Sequence, residues 1–346
     1  YGANEYIETD KPLVVVTGPG PGSGKLATCL SQLYHDYRRG LKSGYAKFET
    51  FPIWNISLKH PVNVAYEAAT ADIRDFNMID SFHLEAYGET AVNYNRDVEV
   101  FPVLKRIMTK IMGTTLYRSP TDMGVNRAGF SIVDDDVVRE AAKQEIIRRY
   151  FRYRCEYVMG LVDNETVDKV DLLMDDLGIK QEDRVVVEPA RKAALEAQEK
   201  GKGNKGIFCG AAIQLRDGTI ITGKNSVQIH AASSLILNAI KKLADIPDKI
   251  HLLSPYVIDS ITNLEKNILK SKKVVSLDLE ETLIALSISA TTSPAAQLAL
   301  EKLVELQGCE VHTTHMPTPG DDAGLRRLGV NLTSDPNFSS SSLFVT

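Results

Sequence analysis

Hydrophobic and polar positions along this chain follow two different periods, and each period predicts a different kind of element. Residues 13–16 form an uninterrupted apolar run, which is typical of a buried strand. From residue 26 onward the apolar residues return every three or four positions, at Leu26, Leu30, Leu33 and Tyr37. This spacing predicts a helix that ends near Gly40. The start of the chain is therefore expected to form a strand, a glycine-rich loop (residues 18–25) and a helix in succession.

Helical patterns return in the centre of the chain. Residues 101–112 predict one helix, and residues 134–200 predict three more, because helix-forming charged residues dominate there and glycine is scarce. The first of the three is expected to start after three consecutive aspartates, which complement the positive end of the helix dipole. The second is expected over 165–177, with Gly178 ending it, and the third over about 189–200.

The pattern after residue 204 predicts a further α/β region. Asp217-Gly218 strongly favours a two-residue hairpin turn between strands at 207–215 and 219–222. The remaining pattern predicts a helix over 229–243, a strand at 251–253, helices near 255–269, 279–290 and 294–306, and a last strand at 309–313. A serine-rich tail follows Asn337.

The predicted fold class is therefore α/β, in three parts. Residues 1–130 are expected to form a P-loop-like or Rossmann-like domain, which could belong to a larger N-terminal domain. Residues 131–203 are expected to form a small helical subdomain, and residues 204–346 a C-terminal α/β domain.

The glycine-rich loop has the layout of a phosphate-binding loop, in which backbone N–H groups and the helix dipole favour an anion. The residues expected to hold the ligand are Gly18, Gly20, Gly22, Ser23, Gly24 and Lys25. Two departures from the ATPase P-loop are evident: Pro19 stands where the first glycine is required, and Leu26 replaces the hydroxyl residue that binds magnesium. A nucleotide or phosphate is the expected ligand, and magnesium is not expected to be held in the usual P-loop way. A purely structural turn is the alternative.

Residues 45–101 mix aromatic and polar side chains without a regular period, which is common in loops that carry sites. The candidate catalytic residues, chosen for acid–base and charge-stabilising chemistry, are His83, Glu85, Arg96 and Asp97. Candidate substrate-binding residues come from this segment, from the polar turn at 120–127 and from the helix start near 230. They are Lys47, Asn93, Asn95, Asp122, Asn126 and His230. Local capping or pairing is the alternative for each of them. No metal site is expected.

Composition narrows the class of protein. The 346 residues suffice for two or three domains, and a net charge of −5 gives no electrostatic reason to expect nucleic acid or an anionic membrane as partner. No apolar run approaches the ~20 residues that span a bilayer, and no signal peptide is visible. The four cysteines form no CxxC pair, which favours a reducing cytoplasm. The expected partners are a small phosphorylated molecule and further copies of the chain. Because the sequence opens at Tyr1 without methionine, we expect it to be a fragment.

The whole chain resembles the UPF0371 family, whose members carry the uncharacterised DUF1846 domain. The resemblance rests on specific segments spread over nearly the full length, at 17–25, 47–54, 60–69, 77–88, 93–97, 120–126 and 223–238. Family members begin with a further Rossmann-like region, which agrees with the fragment expectation. The resemblance implies no established activity. Some members are labelled ATP-dependent peptidases, but this chain has neither an HExxH helix nor a GxSxG elbow.

The C-terminal part also resembles the cytidine-deaminase-like fold. The resemblance is carried by the Asp217-Gly218 hairpin, a strand ending at Gly223, and a helix opening at His230-Ala231-Ala232. Deaminases of that fold use H-x-E and P-C-x-x-C to bind zinc and move protons. Here Ala232 replaces the glutamate and no P-C-x-x-C follows, so the resemblance implies a shared fold without zinc chemistry.

Two classes of function remain open. In the first, the chain is an enzyme, a transferase or hydrolase, that holds a phosphorylated metabolite or nucleotide at the glycine-rich loop. His83 and Glu85 would then handle protons, and Arg96 would stabilise developing negative charge. In the second, the chain binds a nucleotide or anion without catalysis, as part of a structural or oligomeric assembly.

Overall fold

The structure is a computed structural model, and it describes residues 2–20, 22–114, 116–270 and 276–339. The chain divides into two compact units, which are described separately: unit 1 is Tyr1–Lys143 and unit 2 is Gln144–Thr346. Both contain helices and strands, so the predicted α/β class is confirmed. Pro21 of the glycine-rich loop and the serine-rich tail from residue 340 lie outside the described residues. Within those residues, no helix has the length and apolar character needed to cross a bilayer.

Unit 1 combines helices with two short pairs of strands. Its elements are α1 (Lys25–Arg38), β1 (Lys47–Phe48), α2 (Pro61–Ala69), β2 (Asn77–Ile79), α3 (Ser81–Tyr87), β3 (Val92–Tyr94), α4 (Asn95–Met112), β4 (Gly124–Val125) and the start of α5 (Asp135–Val158). β1 pairs in parallel with β4, and β2 pairs antiparallel with β3. The strands in the described part of unit 1 thus form two separate pairs.

The core of unit 1 forms where α1 packs against α4. Leu30 and Leu33 of α1 share one hydrophobic cluster with Phe101 and Met108 of α4, and all four side chains are buried. On α4 the buried residues recur at spacings of three or four, which places them on one face of the helix. Full burial of side chains of this size stabilises the fold by about 1.5–3 kcal/mol each. This packing fixes α1, and with it the end of the glycine-rich loop.

Unit 2 is built on one four-stranded sheet. Its elements after α5 are α6 (Asn164–Leu177), α7 (Val187–Glu199), β5 (Gly210–Gln214), β6 (Ile220–Lys224), α8 (Ala231–Leu243), α9 (Pro255–Asn263), α10 (Leu279–Ala290), α11 (Pro294–Glu301), β7 (Glu310–Thr313), α12 (Pro319–Arg327) and β8 (Asn331–Ser334). The strand order is β6-β5-β7-β8. β5 is antiparallel to both neighbours, whereas β7 and β8 are parallel. The main core packs Ile213, Leu235, Ile236 and Ile240 around this sheet.

Arg184, a fully buried side chain, ties the last two strands of this sheet together. Its guanidinium donates to the Asn331 carbonyl at 2.6 Å, to the Val311 carbonyl at 3.2 Å and to Thr333 Oγ1 at 2.8 Å, and it also pairs with Glu310. A buried guanidinium is tolerated when its donors are satisfied in this way. β7 and β8 are therefore held together by the Arg184 side chain as well as by the backbone hydrogen bonds between the two strands.

Several helices and the hairpin occur where the sequence predicts them. The helices expected after residue 134, at 165–177, at 189–200 and at 279–290 are present within two residues, and the Asp217-Gly218 hairpin joins β5 to β6. The helix predicted at 101–112 starts earlier, at Asn95, because Asn95 and the two residues after it continue the helical turn. The helices predicted near 255–269 and 294–306 are present but shorter. α9 is followed by a π-helix at Leu264–Ile268, and α11 is followed by a 3₁₀ helix at Lys302–Leu306.

Other predictions are wrong. Residues 13–16 form no strand, and Leu13 and Val15 are 78% and 73% exposed, because no neighbouring strand in the described residues pairs with them. Residues 251–253 form a bend rather than a strand, although Leu252 and Leu253 are buried. The segment 45–101, which lacks a clear period, contains α2 and α3. The strand predicted at 309–313 is present as β7, but it is not the last one, because the sequence gives no signal for α12 or for β8, which follow it.

We predict that Arg184→Leu destabilises the protein by about 3 kcal/mol, because removing one partner leaves the other groups of a buried ion pair without compensation. Chemical unfolding followed by circular dichroism measures the change. Arg326→Gln is the matched control: Arg326 is 76% exposed and pairs with Asp322 one turn away, so its loss should cost less than about 0.5 kcal/mol. Equal stability of Arg184→Leu and wild type would contradict the role given to Arg184.

Candidate functional site

The glycine-rich loop ends at the N-terminus of α1 without a side-chain cap. Gly24 is the N-cap residue, and both Gly22 and Gly24 have positive φ, at 73° and 89°. The first backbone hydrogen bond of α1 runs from Thr28 N to Gly24 O, so the N–H groups of residues 25–27 have no acceptor among the described residues. These N–H groups form a positively polarised surface.

Space is open above the loop. A Cβ atom placed on Gly20, Gly22 or Gly24 would meet no atom within 4 Å, whereas one on Gly18 would collide with Ser23 Oγ at 2.3 Å. The Lys25 ammonium folds back over this space and donates to Gly20 O at 2.7 Å and to Ser23 Oγ at 3.1 Å. The loop therefore presents a cation and free N–H groups at one exposed position.

A second group of polar side chains gathers around Lys47. We call Lys47, Glu49, Tyr94 and Asp97 the Lys47 cluster. The Lys47 ammonium lies 2.7 and 2.6 Å from the two Asp97 oxygens and 2.7 Å from Glu49 Oε1, and it also contacts the Tyr94 hydroxyl. Strand β1 supplies Lys47, and the end of β3 and the start of α4 supply Tyr94 and Asp97. The structure thus joins two predicted residues, Lys47 and Asp97, across 50 positions of sequence.

Two members of the Lys47 cluster, Glu49 and Tyr94, are absent from the sequence-based candidates. Tyr94 is buried, and its hydroxyl donates to Asp97 Oδ1 at 2.9 Å. Burial raises the pKa of the Tyr94 hydroxyl, and the charges of Glu49 and Asp97 raise it further. Glu49 follows Lys47 by two positions, a spacing that places side chains on the same side of an extended segment. That spacing is the signal that could have identified Glu49.

Arg96 lies beside the Lys47 cluster. It pairs with Asp75, which is buried, through Nε and Nη2 at 2.6 Å each. Its guanidinium also lies over the Tyr94 ring, 5.7 Å from the ring centre, and about half of the side chain is exposed. The hydrogen bond to Asp75 raises the pKa of Arg96, so the guanidinium keeps its charge. Arg96 can therefore offer its exposed edge to an anion while Asp75 orients it.

His83 belongs to a different set of contacts. His83 is 5% exposed, and its Nδ1 is hydrogen-bonded to Ser119 Oγ at 2.9 Å. Ser119 Oγ also accepts from Asp122 N at 2.9 Å, and the Asp122 carboxylate accepts from the Tyr87 hydroxyl at 2.7 Å. Glu85 is exposed on α3 and has no hydrogen-bond or ion-pair partner among the described residues. The structure thus groups His83 with Asp122 and leaves Glu85 apart from both.

Buried Asp80 organises this region. Its carboxylate accepts from His83 N at 3.0 Å, from Thr121 N at 3.1 Å and from Thr121 Oγ1 at 2.6 Å. Asp80 is therefore the N-cap of α3 and the anchor of the turn at 120–123 at the same time. Asn93 reaches the same turn through Thr121 Oγ1, at 3.4 Å.

Asn95 and Asn126 have structural partners. Asn95 Oδ1 accepts from Phe76 N at 3.1 Å, and Asn126 Nδ2 donates to the Pro52 carbonyl. Both side chains are buried, so their amides satisfy backbone groups that are out of reach of water. Neither side chain faces open space.

His230 lies in unit 2, at the N-cap of α8. Its Nδ1 is 2.7 Å from Asp321 Oδ2, and Asp321 also accepts from Leu279 N at 2.9 Å. Burial lowers the pKa of His230, but the hydrogen bond and charge of Asp321 outweigh burial, and the pKa is raised overall. His230 therefore connects α8 to α10 and α12. No group of three or more metal-ligating side chains occurs in the part of the chain that the structure describes.

The fold and these contacts define an α/β protein of two compact units with a lysine-centred polar cluster. Residues 1–178 match the family model described as domain of unknown function DUF1846, N-terminal, and residues 182–344 match its C-terminal counterpart. A UPF0371 protein of Clostridium botulinum (strain ATCC 19397 / Type A) is 56% identical over 99% of this chain and 68% of the relative. One from Clostridium tetani is 54% identical over the same shares. The chain belongs to the UPF0371 family, as its sequence segments predict.

We predict that Asp80→Ala destabilises the protein by about 2–4 kcal/mol, because several buried donors lose a charged acceptor together. Trp54 is the single tryptophan of the chain and lies in unit 1, so its fluorescence during urea unfolding reports the change. Glu85→Gln, on the same helix but exposed, should stay within about 0.5 kcal/mol of wild type. Similar losses in the two variants would show that Asp80 has no special role.

Proposed function

We propose that the glycine-rich loop binds the phosphate group of a small phosphorylated metabolite or nucleotide. The observation that carries the proposal is the uncapped N-terminus of α1, which directly follows a loop with open space at Gly20, Gly22 and Gly24. Helix N-termini of this kind bind phosphate because their N–H groups and dipole both favour negative charge. The expected ligand is a terminal or bridging phosphate.

Lys25 would supply the charge at this site. Its ammonium already lies over the loop, held by Gly20 O and Ser23 Oγ, so a phosphate would replace these neutral partners with a charged one. Magnesium in the usual P-loop manner is not part of the proposal. Leu26 has no hydroxyl, and the Thr28 hydroxyl donates to Gly24 O at 3.2 Å.

We further propose that the ligand is a substrate, and that the Lys47 cluster and Arg96 act on it in a transfer or hydrolysis reaction. Tyr45 supports a link between the two regions. Tyr45 is partly buried against the cluster of α1 and α4 side chains, α1 follows the glycine-rich loop, and Asp97 of the Lys47 cluster lies in the first turn of α4. The predicted pairing of His83 with Glu85 receives no support, because His83 is buried and Glu85 is exposed on the far side of α3.

The second function, binding without catalysis, is favoured by one observation. Carboxylates of the chain pair with Lys47 and Arg96, and backbone groups form hydrogen bonds with Asn95 and Asn126. Much of the set of side chains predicted to contact a substrate therefore already has partners within the chain. In that case the loop would hold an anion within a structural or oligomeric assembly. A cytoplasmic location suits either function.

For the C-terminal region we propose a cytidine-deaminase-like fold without zinc chemistry. Support comes from the β5–β6 hairpin followed by α8, with His230 at its N-cap. Ala232 occupies the position of the catalytic glutamate, and His230 bonds to Asp321 instead.

We expect phosphate compounds to raise the melting temperature of wild type and not of Lys25→Ala. A ligand at about 100 times its Kd adds about 2.7 kcal/mol of stability, and loss of one charged contact should weaken binding at least about tenfold. The screen uses inorganic phosphate, pyrophosphate, nucleotides and sugar phosphates, with and without magnesium. Lys42→Ala, an exposed lysine outside the loop, is the control and should behave as wild type. The loop is excluded as the site if Lys25→Ala binds like wild type, and phosphate binding itself is excluded if no compound shifts the melting temperature.

Gly20→Val gives an independent test. Gly20 has no positive φ, and a Cβ there meets nothing within 4 Å, so the substitution should leave the fold intact. The new side chain would occupy the space proposed for the phosphate, so binding measured by calorimetry should fall at least about tenfold at an unchanged melting temperature of the free protein. Unchanged affinity would place the ligand elsewhere.

A further inference from the structure

A cavity of about 470 Å³ lies in unit 2, where the chain leaves β8. Its walls come from α5, from α7 and the turn before it, and from the segment after β8. The lining residues are Tyr150, Phe151, Arg154, Gln181, Arg191, Asp335, Pro336 and Asn337. None of them is among the candidates chosen from the sequence. The volume is within the range of small-molecule sites, which is about 300–1,000 Å³.

Hydrogen bonds within the lining fix the direction in which the Tyr150 hydroxyl can act. A guanidinium has donors only, so Gln181 turns its Oε1 to Arg191, which donates from Nη2 at 2.7 Å. Gln181 Nε2 therefore faces Tyr150 and donates to its hydroxyl oxygen at 2.6 Å. The hydroxyl proton of Tyr150 remains, and it has no acceptor among the described residues. Tyr150 is thus an unused hydrogen-bond donor in the wall of the cavity.

Arg154 adds a positive charge beside this donor. Its guanidinium carbon lies 5.3 Å from the centre of the Tyr150 ring, and its side chain is 35% exposed. Nη2 pairs with Asp171, which is not part of the lining. A guanidinium has five N–H groups, so further N–H groups of Arg154 remain for a ligand. Tyr150 and Arg154 can therefore donate to one acceptor group together.

The second guanidinium of the lining, Arg191, is paired inside the cavity wall. It donates to both oxygens of buried Asp335, from Nε at 3.1 Å and from Nη2 at 2.6 Å, and it also pairs with Glu182 at 3.0 Å. The lining itself thus holds two cations and one anion. The two carboxylates outside it, Asp171 and Glu182, are 32% and 45% exposed, so water weakens their opposing charge. The cavity is therefore suited to an anion at Arg154.

Asn337 supplies a hydrogen-bond acceptor. Its Nδ2 donates to the Thr314 carbonyl at 3.0 Å, and because a carbonyl only accepts, this contact fixes the orientation of the amide. Asn337 Oδ1 has no donor among the described residues. Phe151 and Pro336 are the apolar members of the lining. The cavity thus combines donors, one acceptor and apolar surface.

We infer that this cavity binds a small organic anion, whose carboxylate or phosphate group accepts from Tyr150 and Arg154 and whose hydroxyl or amino group donates to Asn337. The Tyr150 proton gains the acceptor that it lacks, and hydrogen bonds to an ionised acceptor are the strong ones. Phe151 and Pro336 contact the carbon skeleton. The site lies in unit 2 and does not depend on phosphate binding at the glycine-rich loop of unit 1.

Calorimetry with malate and with glycerol 3-phosphate as probes tests the inference on the full chain. We expect wild type to bind at least one of them, and Tyr150→Phe and Arg154→Gln each to weaken that binding at least about tenfold, because each variant removes a donor to a charged group. The tighter probe tells a carboxylate site from a phosphate site. Succinate, which is malate without the hydroxyl, should bind less tightly than malate, because Asn337 Oδ1 then stays without a donor.

Two control variants separate this site from the glycine-rich loop. Arg152→Gln removes a 58% exposed arginine of α5 that does not line the cavity, and Lys25→Ala changes the loop. Both should bind the probe as wild type does. Binding that is lost in Lys25→Ala and kept in Tyr150→Phe would overturn the inference, as would a failure of both probes to bind wild type. If Arg154→Gln does not fold, Tyr150→Phe decides, with its melting temperature as the check on folding.

Discussion

A charged group that is taken out of water must recover its hydrogen bonds inside the protein, and this constraint shapes both units. In unit 2, Arg184 is fully buried because carbonyls of both β7 and β8 and the side chains of Thr333 and Glu310 accept from it. In unit 1, Asp80 is fully buried because α3 and the turn at 120–123 both donate to it. Each buried charge receives its hydrogen bonds from segments that are distant in sequence, and the same hydrogen bonds hold those segments in place.

Local patterns predict the helices well and the strands poorly, for a physical reason. A helix satisfies its own backbone, so the local pattern is enough to place α6, which ends at the C-cap Gly178, and α10 within a residue of their bounds. A strand needs a partner. Leu13, Val14 and Val15 are more apolar than β8, yet they stay exposed. The mostly polar segment Asn331–Ser334 forms a strand because β7 and Arg184 provide hydrogen-bond partners.

The same distinction between local and long-range signals applies to the candidate site. Residue type alone selected Lys47, Arg96 and Asp97, and the fold brings them to one region through β1 and the start of α4. Sequence proximity paired His83 with Glu85, but residues two apart on a helix face different directions, so one is buried against Ser119 and the other is exposed. Tyr94 gains its importance from its contact with Asp97, which no pattern in the sequence displays. Glu49 contacts Lys47, and its spacing of two positions from Lys47 is the one local signal for it.

Two of the unsatisfied groups in the described part of unit 1 differ in what they imply. The free N–H groups at the start of α1 lie at an exposed loop, so water can replace a ligand there at little cost. Glu49 Oε2 is buried and has no such substitute. A fold that satisfies Arg184 and Asp80 completely leaves this oxygen without a donor next to a lysine, a phenol and a second carboxylate. Among the described residues of unit 1, it leaves Trp54 Nε1 and Asn77 Oδ1 without partners as well. Departures of this kind are costly, so the Lys47 cluster is a place where the fold gives up stability beside groups capable of acid–base chemistry.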